Sequence, residues 1–126
     1  MTRASKAVAA LAVAAALAGP ALAQDAALVE RGRTVFAHYC APCHGPGRGD
    51  DGAPMLPGTH ALHLKYRGEK PALLEERDDL PAPVLKTFVR YGVASMPPFR
   101  KTEVTDEDIE AISAYLAASA AARRHE

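Results

Sequence analysis

The chain has 126 residues, with 15 basic and 15 acidic side chains and a formal net charge of zero. That balance excludes the strongly basic field of a nucleic-acid-binding domain, and the length suits one small domain.

Residues 1–23 read as a secretory leader. Arg3 and Lys6 form a positive n-region, Ala7–Gly19 is apolar, and Ala21-Leu22-Ala23 fits the small-residue cleavage rule. The apolar run is too short for a membrane span and ends at Gly19-Pro20, so no membrane anchor is expected after cleavage. The mature domain is then 24–126, or 103 of the 126 residues, with 13 basic and 15 acidic side chains. The destination, in a bacterial reading, is the periplasm.

Val and Ile are sparse and show no alternation, so no strands are predicted. Asp25–Tyr39 predicts a helix with Leu28, Val29, Val35, Phe36 and Tyr39 on one broad face. Gly32 lies within it, where a glycine costs stability, and suggests a close helix crossing. Residues 45–60 are dense in Gly, Pro and Asp and predict a long loop. Short helices are expected over Ala61–Tyr66 and Pro71–Glu76, and a longer one over Pro83–Tyr91, stopped by Gly92. Two prolines then hold Val93–Phe99 extended. Thr105 is a helix N-cap, and Asp106, Glu107 and Asp108 suit the dipole of the helix that follows. Ile109, Ile112, Tyr115 and Leu116 form its apolar stripe, and the helix is expected to end near Ala121. The expected fold class is all-α.

Cys40-Ala41-Pro42-Cys43-His44 holds the only two cysteines. A CxxCH run is the attachment signature of a c-type haem. Each thiol adds to one porphyrin vinyl group, and the next residue offers its imidazole to the iron as proximal ligand. The export signal agrees, because covalent attachment takes place outside the cytoplasm. A dithiol redox pair would want a βαβ context, and a zinc site would want four ligands; neither is present in the sequence. One covalent haem c, held by Cys40, Cys43 and His44, is the expected cofactor. A buried porphyrin would supplement the thin core of so small a domain.

The second axial ligand has several candidates: Met55, Met96, His38, His60, His63 and His125. Met96 is preferred. Its loop is held extended by Pro97 and Pro98, and it follows His44 by 52 positions, far enough to return across the porphyrin. Met55 follows His44 by eleven positions and reads as packing. His60 and His63 are the alternatives; a bis-His site lowers the potential, whereas His/Met ligation raises it. With both axial positions filled, the centre suits outer-sphere electron transfer. An open position would instead suit gas sensing or peroxidase chemistry. The second ring nitrogen of His44 needs an acceptor, for which the Pro54 carbonyl is the expected group. Leu56, Val84, Phe88, Val89 and Phe99 are expected to pack on the haem. Tyr66, Arg67 and Arg77 are candidates to reach its propionates.

Gly32, Phe36, Cys40–His44, the loop to Gly58, Met96-Pro97 and the terminal Ile112, Tyr115 and Leu116 together resemble class I cytochrome c. The resemblance implies a small helical fold wrapped around one haem, with the first and last helices crossing at Gly32. Three runs are similar to the cytochrome subunit of p-cresol methylhydroxylase and related flavocytochromes acting on 4-alkylphenols. They are Gly58-Thr59 with Ala61-Leu62 and Lys65-Tyr66, then Pro71-Ala72 through Arg77-Asp79-Leu80, and then Phe88–Glu103, with His60 and the tail from Ala117 outside the pattern. This second resemblance implies a non-catalytic subunit that takes electrons singly from a flavoprotein dehydrogenase subunit. It passes them to a soluble periplasmic acceptor such as a copper protein or another cytochrome. The alternative is a free-standing cytochrome serving a respiratory oxidase or another dehydrogenase. A permanent docking face would combine an apolar centre with a polar rim, and Met96, Pro97, Pro98 and Phe99 beside Arg100 and Lys101 offer one.

Overall fold

The computed structural model describes residues 25–125. The expected leader, its cleavage point and the last residue therefore lie outside the described residues. Among those described, no strand forms, and the only β-type pairing is an isolated bridge between Val93 and Met96.

The described residues fold into five helices and one 3-10 turn. Helix α1 covers residues 25–39, α2 is the short Ala41–His44, and α3 is Pro57–Tyr66. A 3-10 turn, Leu74–Glu76, leads to α4, Ala82–Tyr91, and α5, Asp106–Arg123.

Helix α3 begins at Pro57, four residues before the expected start. The proline at the first helical turn gives up no hydrogen bond there, so the Gly-Pro-rich loop is shorter than its composition suggests. The stretch from Pro71 forms only the 3-10 turn. Helix α4 ends as expected: the Gly92 N–H donates to the Phe88 carbonyl, with Gly92 at φ +67°. That backbone conformation favours glycine. Helix α5 carries a full capping box, with Thr105 and Asp108 each accepting from the other's backbone N–H. It runs to Arg123, two residues beyond expectation.

The core joins α1, α4 and α5. Phe36, Leu80, Leu85, Val89, Val104, Ile109, Ile112 and Leu116 pack as one buried cluster. Ile109, Leu116 and Val104 are 1% exposed. Each such side chain contributes roughly 1.5–3 kcal/mol by leaving water. On α1 the buried surface is narrower than the broad face expected: Phe36 and Gly32 are buried, whereas Leu28 is exposed. Gly32 lies against α5, where a Cβ would overlap the Ala111 carbonyl and come within 2.9 Å of Tyr115 Cβ. The Phe36 and Tyr115 rings meet beside this crossing, 5.5 Å between centroids. The anticipated crossing of first and last helices is thus present.

The 74–80 segment is tied along α5. Tyr115 donates its hydroxyl to Glu75. Ser113 donates to the Leu80 carbonyl at 3.1 Å, and Arg124 to Asp78 at 2.9 Å.

Candidate functional site

The CxxCH run forms a single helical turn that nearly continues α1. Cys40 N–H donates to Phe36 O at 2.9 Å, and His44 N–H donates to Cys40 O at 2.8 Å. This turn places Cys40, Cys43 and His44 together. The two cysteines form no disulfide with each other, and Cys43 is exposed while Cys40 is half-buried. Burial pushes the Cys40 thiol up to about 11, with Cys43 adding to the effect. Burial also lowers the His44 pKa, which keeps its imidazole neutral, the form that ligates a metal. Among the described residues no group of three or more His, Cys, Asp or Glu side chains could hold a metal ion. A protein-only zinc site is therefore not formed among them.

Helix α3 seats its first turn against His44. A Cβ at Gly58 would lie 2.8 Å from His44 Nδ1 and Cε1 and 2.8 Å from Cys43 O. Buried Thr59 donates its hydroxyl to the Gly45 carbonyl at 3.0 Å, tying α3 to the residue after His44. Both contacts escaped the sequence reading. A small residue followed by Thr inside a loop-like composition gives little signal, because its partners are set only when α3 docks.

The expected hydrogen bond from His44 to the Pro54 carbonyl is not made: His44 Nδ1 is buried without a partner. Pro54 and Met55 instead line a cavity of about 360 Å³ with Gly45, Thr59, Leu73 and Glu76. Leu56 is half-buried, just before α3.

Helix α4 has two apolar stripes. Leu85 and Val89 are buried in the core, each 7% exposed, but Val84 and Phe88 are each 38% exposed. These last two lie one helical turn apart and are only partly covered by protein, so a flat apolar group such as a porphyrin could pack against them. Val89 belongs to the core stripe and not to that face.

Met96 is half-buried in the segment after α4. Val93 and Met96 exchange backbone hydrogen bonds at 2.9 and 3.1 Å, with Ala94 between them at φ +50°. Phe99 turns inward and meets the Tyr39 ring edge-on at 5.8 Å. Tyr39 precedes Cys40, so this contact joins the haem-attachment turn to the Met96 segment. It also removes Phe99 from the apolar docking face expected of Met96–Lys101. Arg100 pairs with Glu103 at 3.2 Å.

The alternative ligands are placed as follows. His60 is half-buried on α3, while His63, His38 and His125 are exposed. Because α3 packs on α2 through Gly58, His60 starts on the same side as His44. Of the propionate candidates, Arg67 is exposed at the end of α3. Arg77 and Tyr66 come together, the guanidinium 4.9 Å from the ring centroid. Arg77 is buried and holds Asp79 through two hydrogen bonds of 2.8 and 2.9 Å.

Residues 27–116 match the family model described as cytochrome c oxidase, cbb3-type, subunit III. A relative from Cereibacter sphaeroides, the cbb3-type cytochrome c oxidase subunit CcoP, is 37% identical over 95 residues. The alignment takes in 73% of this chain and 28% of that protein. No solved structure matches significantly. These likenesses correct the p-cresol methylhydroxylase resemblance: neither is to a flavocytochrome, and a flavoprotein partner is unsupported. The CxxCH turn, the all-α fold and the match across most of the chain agree. The chain belongs to the cbb3-type cytochrome c oxidase subunit III family of cytochromes c, and it is a haem c electron-transfer protein, not a catalyst.

Proposed function

We propose that this chain relays single electrons to a terminal respiratory oxidase on the periplasmic side of the membrane, through a haem ligated by His44 and Met96. The family match over residues 27–116 carries the choice of acceptor. Two features support Met96 as the second ligand. Helix α3 with His60 and His63 packs on the His44 side, and Phe99 ties the Met96 segment back to the residue before Cys40. A thioether suits reduced iron, and a six-coordinate iron leaves no position for oxygen. Among the described residues no helix is long and apolar enough to cross a membrane.

The test uses the reduced, haem-bearing protein with membranes that contain or lack a cbb3-type oxidase. The expected result is rapid oxidation, with matching oxygen uptake, only where the oxidase is present. The ferric spectrum should be low-spin with the weak near-infrared sulfur-to-iron band. Equal oxidation by both membranes, or co-purification with a flavoprotein in its place, would overturn the reading.

A further inference from the structure

We infer that Arg90 is a positioning residue for Met96: it braces the segment that carries the thioether and so sets how firmly that ligand is held. The inference rests on the Met96 ligation proposed above and goes beyond it. Arg90 stands in the last turn of α4, its side chain only 13% exposed. One guanidinium nitrogen donates to the Phe99 carbonyl at 3.1 Å. The other donates to the Val104 carbonyl at 2.8 Å and to Asp106 at 2.7 Å. A single planar fork therefore gathers the far end of the Met96 segment and the start of α5 onto α4. Arg suits this role because its donors are fixed relative to one another.

The restraint reaches Met96 through a short, stiff path. Phe99 is held on three sides: its N–H donates to Val89 O at 2.7 Å, its carbonyl accepts from Arg90, and its ring meets Tyr39. Only Pro97 and Pro98 separate it from Met96, and each proline has its φ locked. At the other end, Gly92 lies so near that a Cβ there would be 2.5 Å from Met96 O and 3.1 Å from Pro98 N. With two φ angles fixed and Gly92 packed against the segment, a displacement of Phe99 has few torsions to absorb it before Met96. Lys86 also meets Asp106, at 2.8 Å, but not the Phe99 or Val104 carbonyl that Arg90 holds, so it serves as a control.

The test is imidazole titration of the ferric, haem-bearing protein, because imidazole competes with the thioether for iron. A looser ligand raises the competent open fraction and tightens apparent binding in proportion. Arg90→Leu is expected to bind imidazole at least tenfold more tightly, with a weakened near-infrared band and a lower midpoint potential at unchanged helical circular dichroism. Arg90→Lys keeps the charge beside Asp106 but cannot span three acceptors, and is expected to shift at least threefold. It decides the matter if Arg90→Leu fails to fold. Lys86→Ala is expected to match wild type. Wild-type imidazole affinity in both Arg90 variants would overturn the brace. A wild-type protein without the band would instead overturn Met96 ligation, and the brace with it.

Discussion

Around His44, the chain from Phe36 to Thr59 is held by main-chain geometry. One helical turn carries both thiols and the imidazole, α3 touches His44 through a residue with no side chain, and Thr59 ties down Gly45. Around Met96, the chain from Gly92 to Thr105 has no helix. It is gathered by one guanidinium, two prolines and an aromatic edge contact. The first arrangement is built mostly from hydrogen bonds and close approach of the main chain. The second depends on side-chain contacts at the edge of the core, where Phe99 and Tyr39 pack against the cluster and Arg90 holds the Phe99 and Val104 carbonyls. On the His44 and Met96 ligation proposed above, this separates the ligand held by main chain from the one whose grip tunes the potential.

Four substitutions would break or sharpen that contrast. Leu116→Ala removes a core side chain 1% exposed and is expected to cost about 2–5 kcal/mol. It should destabilise both halves together in a denaturant melt; independent transitions would show that they do not share one core. Gly58→Val forces branched carbons into the His44 ring and the Cys43 carbonyl. Overpacking of this kind costs about 1–3 kcal/mol and occasionally more. The yield of haem-bearing protein should fall with it, measured by haem staining against total protein. Thr59→Val leaves the Gly45 carbonyl without its donor, a loss of about 1–3 kcal/mol. Melting temperature should drop while imidazole affinity stays at the wild-type value; a change in imidazole affinity would mean the two halves are mechanically coupled.

Asp79→Asn is the mildest and tests a region outside both. The Arg77 guanidinium first, and the Lys70 ammonium after it, hold the Asp79 carboxyl well below the usual carboxylate range. Folding therefore favours the ionised form. Its contribution is present above the ordinary carboxylate pKa of about 4 and is lost as pH falls below it. The variant should lose under about 1 kcal/mol at neutral pH. Its stability should also fall less than wild type between pH 5 and 2, followed by thermal melts. Equal acid sensitivity would assign that slope to other carboxylates.

The features legible in the sequence were those whose partners lie within one turn of chain. Cys40, Cys43 and His44 share one helical turn, Thr105 caps the four residues after it, and Gly92 ends the helix it follows. Gly32 was legible for a different reason: a glycine inside an apolar helix has few uses besides a close crossing. Pro57–His60 was misread as loop because Pro, Gly and Thr carry low helix propensity. Docking on α2 and the proline at the first turn outweighed it.

By itself, then, the sequence determined the helical class and the haem c cofactor, and it supplied His44 as the proposed proximal ligand, because CxxCH spacing and capping are local chemistry. Tertiary structure alone decided the seat of Gly58 under His44, the inward turn of Phe99 and the three acceptors of Arg90. Those depend on carbonyls and rings brought together from separated helices, and no local pattern encodes where a distant carbonyl will lie.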